Sequence, residues 1–357
     1  METLEKTGLK ATIDLEGLRR FLRERGLGDA GDLRAENISF GHSNEVHLIH
    51  FDGRAWALRR PPRGPLLPTA HDVLREYRVL NALQPTGVPV PRVYASCEDP
   101  GYIGAPFFLM EYVRGSVIRS TTAFDPEPSF ADTSARRRAV SEEMVELLVR
   151  LQSVDWRAAG LEGFGRPDGY LERQLLRWIG QLERTLPHTR PLPMMEKIQN
   201  WLRGHFPASP PATIVHGDFK LDNVMWDVSG GRPRAIALFD WEMSTLGDPL
   251  ADLGWMLTYW SDPADSEARR AVVSSMETVP GYLTRAAMAE LYSDRAGRAM
   301  TDFTFYEVFS LFKLAIIIEG SYSRYLRGQA GDPIFATYGE RTPAVTAVAW
   351  EICRGAR

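Results

Sequence analysis

The sequence predicts a bilobal α+β chain, with a small antiparallel-sheet lobe at the N-terminus and a mainly helical lobe after it. Three observations carry this reading. The first third is built of short apolar runs punctuated by turn residues. From Arg114 onward the apolar spacing turns helical. One non-helical island, 213–248, interrupts the helices with the runs IVH, NVMW and AIALFD. A length of 357 residues suits about two lobes, which the change of pattern divides into 1–113 and 114–357.

The elements follow in order. Residues 14–25 predict an amphipathic helix with Leu15, Leu18, Phe21 and Leu22 on one face. Strands are expected at 35–40, 44–51 and 54–60, broken by Gly41-His42-Ser43 and by Asp52-Gly53, a strong hairpin signal. Pro61 and Pro62 stop the third strand. A helix over 71–83 places Val73, Tyr77, Leu80 and Leu83 together, and two further strands are expected at 92–96 and 107–112. In the second lobe, helices are expected at 141–153, 170–185, 194–206, 251–260, 266–290, 304–328 and 342–354. The stretch 119–136 lacks apolar pattern and reads as a loop, and Gly230-Gly231 reads as a hairpin turn inside the island.

Composition narrows the function classes. Forty-two Lys and Arg against 46 Asp and Glu give a net charge of −4, which argues against a general nucleic-acid binder. Cys97 and Cys353, at opposite ends, read as free thiols in a reducing cytosol rather than a disulfide framework. There is no CxxC or HExxH to suggest zinc. No apolar run reaches the roughly 18 residues of a membrane span, and METLEKTGLK lacks a secretory apolar region. A cytoplasmic protein with no membrane partner is expected.

The island carries the chemistry. His216-Gly217-Asp218-Phe219-Lys220-Leu221-Asp222-Asn223 is followed, 22 residues after Asp218, by Asp240-Trp241-Glu242. Phosphoryl transfer needs a carboxylate to orient and deprotonate a hydroxyl, and hard oxygen ligands to hold Mg²⁺ against phosphates. Asp218, Asn223 and Asp240 supply that set. The competing readings are a turn aspartate for Asp218 and Asx turns or helix caps for the other two. No Walker A motif, GxSxG elbow or Rossmann fingerprint is present.

HGDFKLDN, DWE and the following LGDPLADL resemble the aminoglycoside phosphotransferase/choline kinase family, which has a protein-kinase-like fold. Within it, LRRPP, REYRVLNAL, GYLERQLLRW and DWEMSTLGDPLADLGWM look most like the kinase-like domain associated with acyl-CoA dehydrogenases. The dehydrogenase part is absent, so dehydrogenase activity is not expected, although a functional link to those enzymes is. The resemblance implies an ATP- or GTP-dependent, Mg²⁺-requiring kinase acting on a small-molecule hydroxyl.

Roles follow by resemblance. Asp218 is the expected base, and Asn223 and Asp240 the expected Mg²⁺ ligands. Arg59 stands at the phosphate-clamping position, often Lys, and Glu76 is its expected partner. Arg60 is the alternative contact. Gly41, Ser43 and Asn44 match the phosphate-covering hairpin, with His42 unassigned. Glu111 and Val113 fall in the adenine-binding hinge. His216, Asp248 and Asp252 are expected to support the catalytic loop, with Asp248-Pro249 as a helix N-cap and first turn. Lys220 is open between phosphate contact and solvated lysine. Trp178, Trp241, Trp255, Tyr259 and Trp260 are open between acceptor pocket and core. The subgroup implies a hydroxyacyl-CoA or related acceptor; the alternatives are an aminoglycoside, or a nucleotide-binding regulatory module without turnover.

Overall fold

The computed structural model describes residues 13–38, 44–62, 72–118, 131–227, 229–260, 262–273, 280–300, 302–330 and 333–356. The chain divides into two compact units, Met1–Arg114 and Gly115–Arg357.

Unit 1 opens with α1, Leu15–Glu24. Asp14 caps it by accepting from the Gly17 N–H at 3.0 Å, and the predicted face delivers Leu18, Phe21 and Leu22 to the core. Five antiparallel strands follow: β1 Arg34–Asn37, β2 Glu45–Phe51, β3 Arg54–Arg60, β4 Val93–Cys97 and β5 Phe107–Glu111, in the order β1-β2-β3-β5-β4. The β2–β3 register pairs Phe51 with Arg54. The two residues between them, Asp52 and Gly53, both have positive φ (52° and 70°), as the twist-matched two-residue hairpin requires. Helix α2, Val73–Leu83, is capped by Asp72 and packs on β4 and β5. Among its described residues the unit has two α-helices beside its sheet.

Unit 2 is built on helices α3 Ser134–Gln152, α4 Tyr170–Thr185, α5 Pro193–Gly204, α6 Leu250–Thr258, α7 Glu267–Val273, α8 Arg285–Ala296, α9 Phe303–Leu326 and α10 Ile334–Gly355. Helix α9 packs against α4, α5, α6 and α10, and most of its residues are buried. The expected helix at 266–290 is two helices, with 274–279 outside the described residues. The expected helix at 342–354 starts eight residues earlier and carries Pro343 inside it. Of the expected loop 119–136, residues 119–130 lie outside the described set, while Ser134–Arg136 form the first turn of α3, capped by Thr133.

The island folds as two small sheets. Strand β7, Thr213–Val215, pairs with β10, Thr245–Gly247. Strand β8, Val224–Asp227, pairs with β9, Arg234–Leu238, and with β6, Ser116–Val117, a two-residue strand too short to show a sequence pattern. Both cysteines are buried free thiols. Among the described residues no helix is long and apolar enough to cross a membrane.

Candidate active site

The loop after β7 is held from four directions. Asp252, on the first turn of α6, accepts from the His216 N–H at 2.6 Å and the Gly217 N–H at 2.8 Å. The His216 ring accepts from the Asp218 N–H through Nδ1 at 3.2 Å and faces the Phe239 carbonyl through Nε2 at 2.8 Å. One acceptor and one donor define the neutral Nε2–H tautomer. Burial pushes the imidazole pKa down, outweighing the surrounding carboxylates. With both nitrogens engaged, His216 braces the loop. Gly217 has φ +86°, and a Cβ there would lie 2.7 Å from the Met243 carbonyl oxygen, so only glycine fits without displacement. Its carbonyl accepts from Lys313 at 2.5 Å.

These contacts present Asp218, whose side chain is 16% exposed. Its Oδ1 accepts from the Trp255 indole N–H at 2.7 Å. Its Oδ2 accepts from the Asn223 amide at 2.9 Å and lies 3.1 Å from the Lys220 ammonium. Burial alone would raise the carboxyl pKa. Lys220, Lys313 and the Trp255 N–H reverse this and hold it below the ordinary value. Lys220 also suffers desolvation, yet Asp218 raises its pKa overall. Asp218 is thus an ionised carboxylate with a fixed orientation.

Asn223 uses its amide N–H groups on the Asp218 carbonyl and carboxylate, at 2.8 and 2.9 Å. Phe239 N–H donates to the Asn223 carbonyl at 2.8 Å, which brings Asn223 beside the residue preceding Asp240 at the end of the β8–β9 hairpin. Asp240 has left-handed backbone, φ 65°. An amide oxygen turned away from Asp218 and a neighbouring carboxylate are hard donors of the kind Mg²⁺ takes. Among the described residues no group of three or more His, Cys, Asp or Glu side chains could hold a metal ion, so these two donors would bind one only together with the phosphates of a nucleotide.

Asp248 accepts from the Leu250 N–H at 2.9 Å and the Tyr306 hydroxyl at 2.8 Å. The helix proper begins at Leu250, with Pro249 at the cap position, one residue later than the sequence suggested. The aspartate still satisfies a first-turn N–H. All five singled-out aromatics are buried. Tyr259 lies under Lys220, 5.2 Å from ring centre to ammonium, while Trp178 and Trp255 line a small cavity.

In unit 1, Arg59 on β3 and Glu76 on α2 form a buried ion pair at 2.6 Å. Arg60 contacts the Ile103 carbonyl at 3.1 Å and Glu45 at 3.6 Å. Glu111 ends β5 and accepts from the Arg92 N–H at 3.3 Å. Val113 is half-buried and Asn44 is buried at the head of β2. Gly41, His42 and Ser43 lie outside the described residues.

Sequence reading missed Lys313. Its ammonium sits 3.7 Å from the Trp255 ring centre, on the indole whose N–H holds Asp218. A lone cation in the apolar run FSLFKLAIIIEG was the available signal, since lysine is rarely placed in a helix interior to a core without a partner.

The profile of the phosphotransferase enzyme family matches residues 34–291. The chain is 35% identical over 341 residues to acyl-CoA dehydrogenase family member 10 of Mus musculus, covering 95% of this chain and 31% of that protein. It therefore spans about a third of that curated relative's length. A crystal structure from Ralstonia eutropha, provisionally named an aminoglycoside phosphotransferase, superimposes with a TM-score of 0.81 at 32% identity, covering 97% of this chain and 99% of the other. The GDP complex of aminoglycoside 2'-phosphotransferase-IIIa shares the fold, with a TM-score of 0.61 at 14% identity over 94% of this chain and 99% of that one. The protein-kinase-like α+β fold and the family match agree, and the chain belongs to the phosphotransferase enzyme family.

Proposed function

We propose that the protein transfers the terminal phosphoryl group of ATP or GTP to a hydroxyl of a small molecule, with Asp218 as base. The observation that carries this is the Asp218 carboxylate itself, ionised and fixed by Trp255, Asn223 and Lys220. In the proposed step the acceptor oxygen attacks the γ-phosphorus and its proton passes to Asp218. The bond from the γ-phosphorus to the bridging oxygen breaks, and the nucleoside diphosphate leaves with that electron pair. Positioning and charge provide most of the rate in such reactions, and a well-placed base adds about 10²–10⁴.

Asn223 and Asp240 are the residues that would hold Mg²⁺, which when bound neutralises phosphate oxygens. Lys220 is close enough to Asp218 to share its charge with the transferring group. Arg59, held by Glu76, is the proposed phosphate grip. Gly41, Ser43 and Asn44 are the proposed phosphate cover, and Glu111 with Val113 the proposed base-binding hinge. The GDP complex of a fold relative supports nucleotide use without choosing between purines.

For the acceptor, the relative named as an acyl-CoA dehydrogenase family member supports a hydroxyacyl-CoA or related metabolite, and a functional link to such dehydrogenases. Aminoglycosides are the second acceptor class to try, since the Ralstonia structure carries that name. The test is nucleotide consumption, with product mass, across a panel of hydroxyacyl-CoAs and aminoglycosides. Phosphorylated product from one class is the expected result. Nucleotide binding that raises the melting temperature while no acceptor is phosphorylated would favour a binding module instead.

A further inference from the structure

Two charged side chains grip the peptides on either side of Gly217, the residue before Asp218. Asp252 on α6 accepts from the Gly217 N–H at 2.8 Å, and Lys313 on α9 donates to the Gly217 carbonyl at 2.5 Å. The same ammonium lies 3.7 Å from the Trp255 ring centre and 5.6 Å from that of Trp178. The Trp255 N–H in turn donates to Asp218 Oδ1 at 2.7 Å. Lys313 therefore reaches the carboxylate by two routes, one through the backbone and one through the indole. An ammonium over an indole face also draws electron density from the ring and strengthens its N–H as a donor.

Fold stability does not account for this cation. It stands in the run 309–318, FSLFKLAIII, which holds no other charge. It is 7% exposed and makes no ion pair among the described residues, although Asp218 and Asp252 attract it from further off. Burial nonetheless lowers its pKa to about 8, so its charge opposes folding. The cavity it shares with Trp178 and Trp255 is about 20 Å³, about the size of one water. That is too small for an acceptor, so Lys313 acts through protein groups.

We propose that Lys313 is a positioning residue for phosphoryl transfer, holding the Asp218 carboxylate toward the acceptor hydroxyl through Gly217 and Trp255, a role that rests on the phosphotransfer reading above. Both routes end at the base. Losing the ammonium lets the carboxylate shift and leaves the groups proposed to hold the nucleotide in place.

Two measurements on the full chain test this. The first is steady-state kinetics with an acceptor that the wild-type protein phosphorylates. Lys313→Met is expected to lower kcat by about ten- to a hundred-fold, as a shift of up to about 1 Å in a reacting group does. Both KM values are expected to stay within about three-fold of wild type. Trp255→Phe keeps a ring beneath the ammonium and removes the N–H, and should lower kcat in the same way. The double variant should lose much less than the product of the two losses, because residues that act as one unit are not additive. The second measurement, hydrogen exchange, needs no acceptor. The Gly217 and Asp218 amides are expected to exchange about ten-fold faster in Lys313→Met, while those of α6 and α9 keep their protection. A Lys313→Met protein with wild-type kcat would overturn the proposal, as would losses that simply multiply in the double variant. If the wild-type protein phosphorylates no acceptor, the phosphotransfer reading fails, and exchange alone decides whether Lys313 holds the loop: faster exchange supports it and unchanged exchange overturns it.

Discussion

Replacing Lys313 with methionine should make the protein more stable and a poorer enzyme. The ammonium is buried on α9, and burial moves its pKa from 10.5 to about 8 although Asp218 and Asp252 pull the other way. Each unit corresponds to about 1.36 kcal/mol, so keeping the proton at neutral pH costs about 3 kcal/mol of folding stability. Methionine fills nearly the same volume without that cost. It loses the hydrogen bond to the Gly217 carbonyl, worth about 1 kcal/mol, and the contact of the ammonium with the Trp255 ring, worth about 1 kcal/mol more. The net gain is about 1 kcal/mol, or about 2–4 °C in Tm for a unit of this size. The pH dependence carries its own sign. The folded-state pKa lies below the unfolded one, so between about 8 and 10.5 the unfolded chain binds more protons and wild-type stability rises with pH. The advantage of the variant is therefore full below about pH 8 and closes as pH rises toward the unfolded value. Denaturant unfolding of both proteins across this window measures it. A Lys313→Met protein less stable than wild type at neutral pH, by a margin that pH does not change, would refute the reasoning.

Other expectations follow from the same contacts. Asp252→Ala leaves the His216 and Gly217 N–H groups buried without acceptors and should cost about 2–4 kcal/mol in denaturant unfolding, with turnover lost as the loop relaxes. Gly217→Ala must hold alanine at φ +86° against the Met243 carbonyl, a penalty of about 1–3 kcal/mol, seen as a lowered melting temperature. Glu76→Ala strips the Arg59 guanidinium of its 2.6 Å carboxylate. It should destabilise unit 1 by about 3 kcal/mol and raise the nucleotide KM more than it lowers kcat.

Much of the scaffold was legible in local pattern. The Asp52-Gly53 hairpin, the Leu18/Phe21/Leu22 face and helix α4 follow from short-range rules, and each appears where those rules place it. Errors arose where tertiary contacts override local signals. The helix expected at 342–354 begins eight residues earlier, and α10 runs through Pro343 and packs on α9. The run 266–290 keeps helical spacing across a break between α7 and α8, the latter capped by Thr284. Strand β6 exists only through its pairing with β8. Within the site, the residues of the island were visible because they are close in sequence. Trp255 stood out only as a pocket or core aromatic and Lys313 not at all, since their contacts with Asp218 and Gly217 span 37 and 96 positions. A buried lysine and its cavity are properties of packed helices, which periodicity describes only as apolar faces.

The most direct test of the account is the turnover of Asp218→Asn with an acceptor the wild-type protein phosphorylates. Asparagine preserves shape and the contact with Trp255 but cannot take the acceptor's proton. The account predicts kcat lower by about 10²–10⁴, with the melting-temperature rise on adding Mg²⁺ and nucleotide retained. A kcat within about three-fold of wild type would contradict the assignment of Asp218 as base.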